Sequence, residues 1–140
     1  MTDKVALAQE LSVFDHICFG TEAMSSEEWS IALDANTREV REYRDGKVVG
    51  IAVIKWAAGI GYLYSNAVLP DYRNQGIGTR LIRMRLDFVK NFCLKVQAHT
   101  RINNEASQAI LRKCGFVPIH YVPDFYGDCE DAVLWEKVLL

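Results

Sequence analysis

The sequence lacks several features that would each assign a function class at once. No apolar run approaches the ~20 residues of a membrane span, and Met1-Thr2-Asp3-Lys4 leads no signal-peptide apolar core. Cys18, Cys93, Cys114 and Cys129 form no C-x-x-C pair. With no leader ahead of them they read as reduced thiols, and the expected compartment is the cytoplasm. The three histidines show no ligand spacing with the cysteines, so no metal site is expected. Charge of neither sign is in excess. Sixteen Lys and Arg against 18 Asp and Glu leave a net −2, which carries no nucleic-acid footprint. There is no internal repeat, low-complexity tract or linker. What remains is ordinary in bulk: 140 residues, 50% hydrophobic and 24% charged, enough for one domain, 1–140, with a real core.

The informative stretch is 62–92. Tyr62-Leu63-Tyr64-Ser65-Asn66-Ala67-Val68 is a strand-like apolar and aromatic run, and Pro70-Asp71 break it. Arg73-Asn74-Gln75-Gly76-Ile77-Gly78 follows. Apolar residues then fall at Ile77, Leu81, Met84, Phe88 and Phe92, the period of an amphipathic helix. Strand, glycine loop and helix make an anion site. Glycines let backbone approach a ligand, and the N–H groups and dipole of the first helical turn favour negative charge. Arg73 and Arg80 add formal charge. The expected ligand is a pyrophosphate. A Walker loop needs Gly-Lys-Ser/Thr, but Thr79-Arg80 follow Gly78. A dinucleotide loop needs a third glycine where Leu81 stands.

Along the chain, 3–7 reads as a short strand and 9–19 as a helix with Leu11, Phe14, Ile17 and Cys18 on one face. Ser25-Ser26-Glu27-Glu28 is a capping box opening a helix to about residue 35 that carries Trp29, Ile31, Ala32 and Leu33. A strand at 38–44, the hairpin signal Asp45-Gly46 and a buried strand at 47–57 come next. Gly59-Ile60-Gly61 turns the chain into the strand at 62–68. After the long helix a strand covers 94–100. Asn103 or Asn104 caps a helix to Lys113 or Cys114 that buries Ala106, Ala109 and Ile110, and Gly115 fits its C′ position. Strands at 116–122 and 132–139 complete a central mixed sheet with helices on both faces.

The pattern R-x-x-G-x-G between Asn66-Ala67-Val68-Leu69-Pro70-Asp71-Tyr72 and a long helix resembles motif A of the GNAT acetyltransferases. Asn104-Glu105-Ala106-Ser107-Gln108-Ala109-Ile110-Leu111-Arg112-Lys113-Cys114-Gly115-Phe116 keeps the N…G-F frame of that family's second motif. Phe125-Tyr126-Gly127-Asp128-Cys129-Glu130-Asp131-Ala132 is similar to the Y-Y-x-D-G-E-D-A of the protein N-terminal acetyltransferases, which include the ribosomal-protein alanine acetyltransferases. The resemblance covers nearly the whole chain. It implies a GNAT fold of the α/β (α+β) class: a mixed, mostly antiparallel sheet of six to seven strands flanked by about four helices. It also implies acetyl-coenzyme A as cosubstrate. The coenzyme would be bound by Ala67 and Val68, by the loop Arg73, Asn74, Gln75, Gly76, Ile77, Gly78 and Thr79, and by Asn104.

Acetyl transfer from a thioester to an amine needs a proton acceptor for the amine, an N–H donor for the thioester oxygen and a proton for the departing sulfur. The resemblance puts the N–H donor at Val68 or its neighbours Ala67 and Leu69. Histone-type members place a Glu where Tyr62 stands, and 62–69 contains no carboxylate. The alanine-acetylating branch has a Glu five residues before the motif Asn, which falls on His99 here. Imidazole suits a base near neutral pH. The family's proton-donating Tyr falls at Leu111, which cannot donate, so Tyr126 is the first candidate acid and Tyr121 the second. Asp124, Asp128, Glu130 and Asp131 could attract a cationic amine, or could be solvated loop charge. Cys114 reads as core filling. The expected function is an acetyl-CoA-dependent N-acetyltransferase acting on a peptide N-terminus or a small amine, with neither nucleic acid nor membrane as partner. A non-catalytic acyl-CoA-binding or sensor module is the alternative. The oligomeric state stays open, a homodimer included.

Overall fold

The computed structural model describes residues 3–127 and 130–139. Helix α1 (Lys4–Phe19) and helix α2 (Ser26–Ala32) precede strands β1 (Thr37–Arg44), β2 (Lys47–Ala57) and β3 (Ile60–Val68). Helix α3 (Ile77–Val89), strand β4 (Lys95–Arg101), helix α4 (Glu105–Lys113) and strands β5 (Val117–Val122) and β6 (Ala132–Val138) follow. The sheet order is β1-β2-β3-β4-β6-β5, and every neighbouring pair is antiparallel except β3 with β4. This is the mixed, mostly antiparallel sheet with four helices that the sequence leads one to expect, with six strands.

The seventh strand, expected at 3–7, is helix instead. The Asp3 carboxylate accepts from the Val5 N–H at 3.0 Å and caps α1. The helix buries Ala8, Leu11, Ser12 and Asp15, spaced three or four apart, and leaves Ile17 exposed. The capping box is present in both directions: Glu28 N–H to Ser25 Oγ and Ser25 N–H to Glu28 Oε1, each 3.1 Å. Its helix stops at Ala32, and Ile31 points to solvent. Two left-handed pairs turn the hairpins, Asp45-Gly46 and Ala58-Gly59. Gly61 is therefore not a turn residue. It pairs with Trp56 inside the sheet, where a Cβ would meet Val96 at 3.2 Å. Helix α4 sinks Leu111 into the core and exposes Ala106 and Ala109.

β2 is the buried centre. Ile51 and Val53 pack under α1 and α2 beside Leu11 and Trp29, while Ala52 and Ile54 face α3. Helix α3 presents Ile77, Leu81, Ile82, Arg85 and Val89 to the sheet. It ends at Val89, so Phe92 lies beyond it, where Phe88 and Phe92 clasp Trp56 with ring centroids 5.5 and 5.4 Å away.

Two irregularities in β3 open the sheet. The register with β2 slips between Val53–Ser65 and Ile54–Leu63, so Tyr64 is an extra, bulged residue. Pairing with β4 covers only Ile60–Lys95, Gly61–Val96 and Tyr62–Gln97, after which the two strands diverge. Arg85 is fully buried against the bulge. Its Nη1 donates to Val53 O at 3.0 Å and to Ser65 O at 2.6 Å, and its Nε to Leu81 O at 3.1 Å.

The close approach of α3 depends on Gly50, where a Cβ would lie 2.9 Å from Ile77 Cγ2 and 3.1 Å from Leu81 Cδ1. Gly50→Ala is expected to lower stability by about 1–3 kcal/mol through overpacking, measured as a fall in the urea midpoint at unchanged slope.

Candidate active site

The divergence of β3 from β4 leaves two cavities, of about 460 and 700 Å³. They share the walls Phe19, Asn66, Asn104, Ser107 and Ile110, so they meet at the point where the strands part.

The larger cavity contains the glycine loop expected to take an anion. Gly76 begins α3 in the left-handed conformation at φ +79°, makes no side-chain cap, and is preceded by Asn74 at φ +63°. The first-turn N–H groups of the 13-residue helix have no acceptor within it. Arg73, Asn74, Gly76, Ile77, Gly78, Thr79, Val68 and Asn104 all line this cavity. Gln75 is exposed and Ala67 buried, and neither lines either cavity. Both arginines of this stretch also have protein partners. Arg73 bonds Val68 O at 3.2 Å and Cys18 O at 3.1 Å, tying the end of α1 to the end of β3. Arg80 pairs with Glu42 at 2.9 Å. Backbone amides of the first helical turn are offered here together with the Arg73 and Lys113 side chains, and Arg80 Nη2 beside them is buried without a hydrogen-bond partner among the described residues.

The Leu69 N–H donates to Val49 O, on the β2 side. By the alternation of an antiparallel strand, the Val68 N–H then faces the opening. Asn104 caps α4, its Oδ1 accepting from the Ser107 N–H at 3.1 Å.

The smaller cavity holds the titratable groups. His99 and Tyr126 both line it, one from β4 and the other from the loop after β5. His99 Nδ1 lies 2.5 Å from the Tyr62 hydroxyl, and its ring stacks on Phe125 with centroids 4.0 Å apart. Phe125 meets Tyr126 edge-on, and the Arg101 guanidinium sits 4.2 Å over the Tyr126 ring. Burial lowers the His99 pKa below its ordinary value, so the ring is neutral at pH 7. Burial, with Tyr126 and Tyr64 nearby, pushes the Tyr62 phenol up to about 12. Asp15, buried in the wall, accepts from Trp29 Nε1 at 2.9 Å, and burial raises its carboxyl.

Other candidates lie elsewhere. The Tyr121 hydroxyl donates to Asp131 and lines neither cavity. Asp124, Glu130 and Asp131 line neither, and Asp128 falls outside the described residues. Cys114 is buried in the core beside Leu111 and Phe116, and burial pushes its thiol up. Sequence reasoning missed Asn66 and Arg85 and treated Tyr62 only as a missing carboxylate. Arg85 did leave a signal, because it occupies the inward register Ile77, Leu81, Arg85, Val89, where an apolar residue belongs.

Residues 5–116 match the acetyltransferase (GNAT) family. An N-alpha-acetyltransferase of Sulfurisphaera tokodaii is 31% identical over 104 residues, covering 64% of this chain and 62% of that protein. The matches span between about a third and two thirds of the length of the curated relatives, 32% to 65%. Among solved structures, the ribosomal-protein-S18-alanine N-acetyltransferase of Escherichia coli superposes with a TM-score of 0.84 at 18% identity, over 94% of this chain and 87% of that one. An aminoglycoside 6'-N-acetyltransferase complexed with coenzyme A gives 0.80 at 16%, over 96% and 92%. At these identities the likeness is one of fold.

A side chain at Gly78 would meet Asn66 Nδ2 at 3.4 Å and Ile110 Cδ1 at 3.5 Å, ordinary contacts across the cavity. Gly78→Val is therefore expected to fold and to weaken coenzyme A binding more than tenfold. Calorimetric titration with coenzyme A, beside a thermal melt, checks both halves.

Proposed function

The chain belongs to the acetyltransferase (GNAT) family, and on that footing we propose that it is an acetyl-CoA-dependent N-acetyltransferase, residues 1–140 acting as one catalytic unit, whose acceptor is a peptide N-terminal amine. One observation carries the reading. An amide-lined anion cavity and a cavity walled by a neutral, hydrogen-bonded imidazole meet where two strands part. The peptide acceptor draws on the N-alpha-acetyltransferase relative. A small amine is the other acceptor to test. The cytoplasm is the proposed compartment, in keeping with the free thiols Cys18, Cys93 and Cys114. No helix among the described residues is long and apolar enough to cross a membrane.

The residues fit the coenzyme. Backbone N–H groups at the start of α3 suit the pyrophosphate, and Gly76 and Gly78 leave room for its approach. The thioester end then comes to the junction, with the Val68 N–H available to its oxygen. The acceptor amine enters the smaller cavity and loses a proton to His99. In this mechanism the hydrogen bond shared by His99 Nδ1 and the Tyr62 hydroxyl is used in the direction Nδ1–H to oxygen, the tautomer that leaves a lone pair on Nε2. The amine nitrogen bonds the carbonyl carbon, the charge passes to the carbonyl oxygen, and the carbon–sulfur bond then breaks as the carbonyl re-forms. The thiolate takes up a proton, for which Tyr126 is the hydroxyl in the same cavity. Products are the amide and the free thiol; the amine's proton leaves His99 to solvent, and solvent returns a proton to Tyr126.

Buried Leu111 favours the second reading, a non-catalytic acyl-CoA-binding module, because it offers no proton to the sulfur. Thiol release from acetyl-CoA, assayed with a panel of N-terminal peptides and small amines, separates the two. Steady release with peptides supports the proposal, and binding without release with any amine supports the module.

His99 must be neutral to act. The rate should therefore rise with pH through its pKa, which burial places below the ordinary ~6.5. His99→Ala is expected to lower kcat/KM by ~10²-fold and to remove that acid limb. Tyr62→Phe should give a smaller loss with the limb retained. A His99→Ala enzyme that keeps both rate and limb would show that the imidazole only packs.

A further inference from the structure

A fully buried cation normally has an anionic partner. Arg85 has none among the described residues. Its bonds go to three backbone carbonyls, Leu81, Val53 and Ser65, and to Asn66 Oδ1 at 2.6 Å. The three carbonyl bonds brace the β3 bulge. The fourth goes to a side chain, and that side chain stands where the two cavities meet.

A guanidinium can only donate, so the amide oxygen of Asn66 is the atom turned toward Arg85. The amide NH₂ is therefore turned away from it. Flipping the amide would set two donors face to face around a buried charge. Asn66 Nδ2 has no acceptor among the described residues, and it lies against Gly78, 3.4 Å from where that residue would carry a Cβ. The result is a donor of fixed orientation on an exposed side chain, polarised from behind by a positive charge.

We infer that the Asn66 side-chain amide donates a hydrogen bond to the thioester carbonyl oxygen of the bound acyl donor, and that Arg85 is its positioning residue. The inference rests on the acetyl-transfer reading above. The thioester oxygen is the group at the junction that gains negative charge, as the carbon–nitrogen bond forms and before the carbon–sulfur bond has broken. It returns that charge when the sulfur leaves. Asn66 gains and loses no proton, and its contribution is a preorganised dipole beside the backbone donor of Val68.

The test separates catalysis from folding. Asn66→Asp keeps an acceptor for Arg85 and removes the donor. We expect kcat to fall ~10²-fold, the usual loss of one such donor, with coenzyme A affinity within twofold of the parent. A kcat within threefold, or a loss confined to coenzyme A affinity, overturns the inference. Arg85→Lys should lower kcat in the Asn66 background and add nothing to Asn66→Asp. Additive losses would remove the positioning role. A second readout needs no turnover. The Asn66 side-chain amide signals in ¹⁵N–¹H spectra should move on adding acetyl-CoA and stay near their free positions with coenzyme A. Equal positions with both ligands overturn the inference. A parent that acetylates no amine overturns the acetyl-transfer reading and this inference with it, whereas an active parent with an equally active Asn66→Asp overturns this inference alone.

Discussion

The site depends on a buried guanidinium satisfying the carbonyls of a bulge. Antiparallel strands keep their bonds within the sheet, and the slip at Tyr64 takes β3 out of regular register. The register pair Val53 and Ser65 borders that slip, and the carbonyls of both accept from Arg85. Arg85 supplies two N–H bonds from one Nη1, to Val53 O and Ser65 O, and brings them from α3 rather than from the sheet. Desolvation lowers its pKa to about 9, which still leaves it charged at neutral pH. One side chain thus holds the bulge, fixes α3 against the sheet and sets the orientation of Asn66.

The divergence has a second cause on its other side. Parallel pairing of β3 with β4 ends at Tyr62 and Gln97, and the side chain of Tyr62 then reaches His99, two residues beyond Gln97. Tyr62 and His99 close the narrow end with a 2.5 Å hydrogen bond. Phe125 then stacks on the imidazole from the loop after β5. The gap is held open at one end by the bulge and pinned at the other by this pair. At the wide end α3 presents its first turn, brought close by the absence of a side chain at Gly50.

Much of the chain was legible because its signals are local. The capping box at Ser25 and Glu28, the Asp45-Gly46 turn, the cap at Asn104 and Gly115 after α4 each involve residues within a few positions of one another. The stretch 3–7 misled because its length suits a strand, while the Asp3 carboxylate that caps it as a helix is only one bond. Ala106 and Ala109 misled because small apolar residues carry little preference for the core. Arg73 lines the larger cavity as its place before the glycines leads one to expect, while its bonds to the carbonyls of Val68 and Cys18 depend on a contact with α1 that spacing does not encode.

By itself the sequence determined the order of elements after the first helix, the glycine-opened helix start and the family. The first two follow from periodicity, turn chemistry and residue spacing along the chain, and the family from the resemblance of its motifs to known ones. Tertiary structure alone decided what the side chains do. His99 and Tyr62 are 37 positions apart and meet at one hydrogen bond, and Arg85 and Asn66 are 19 apart and do the same. Whether His99 has a free lone pair, and whether Asn66 turns its NH₂ to the cleft, depends on a partner that strand register and helix packing bring up. Hydrogen-bond direction is a property of pairs in space, and spacing along the chain does not encode it.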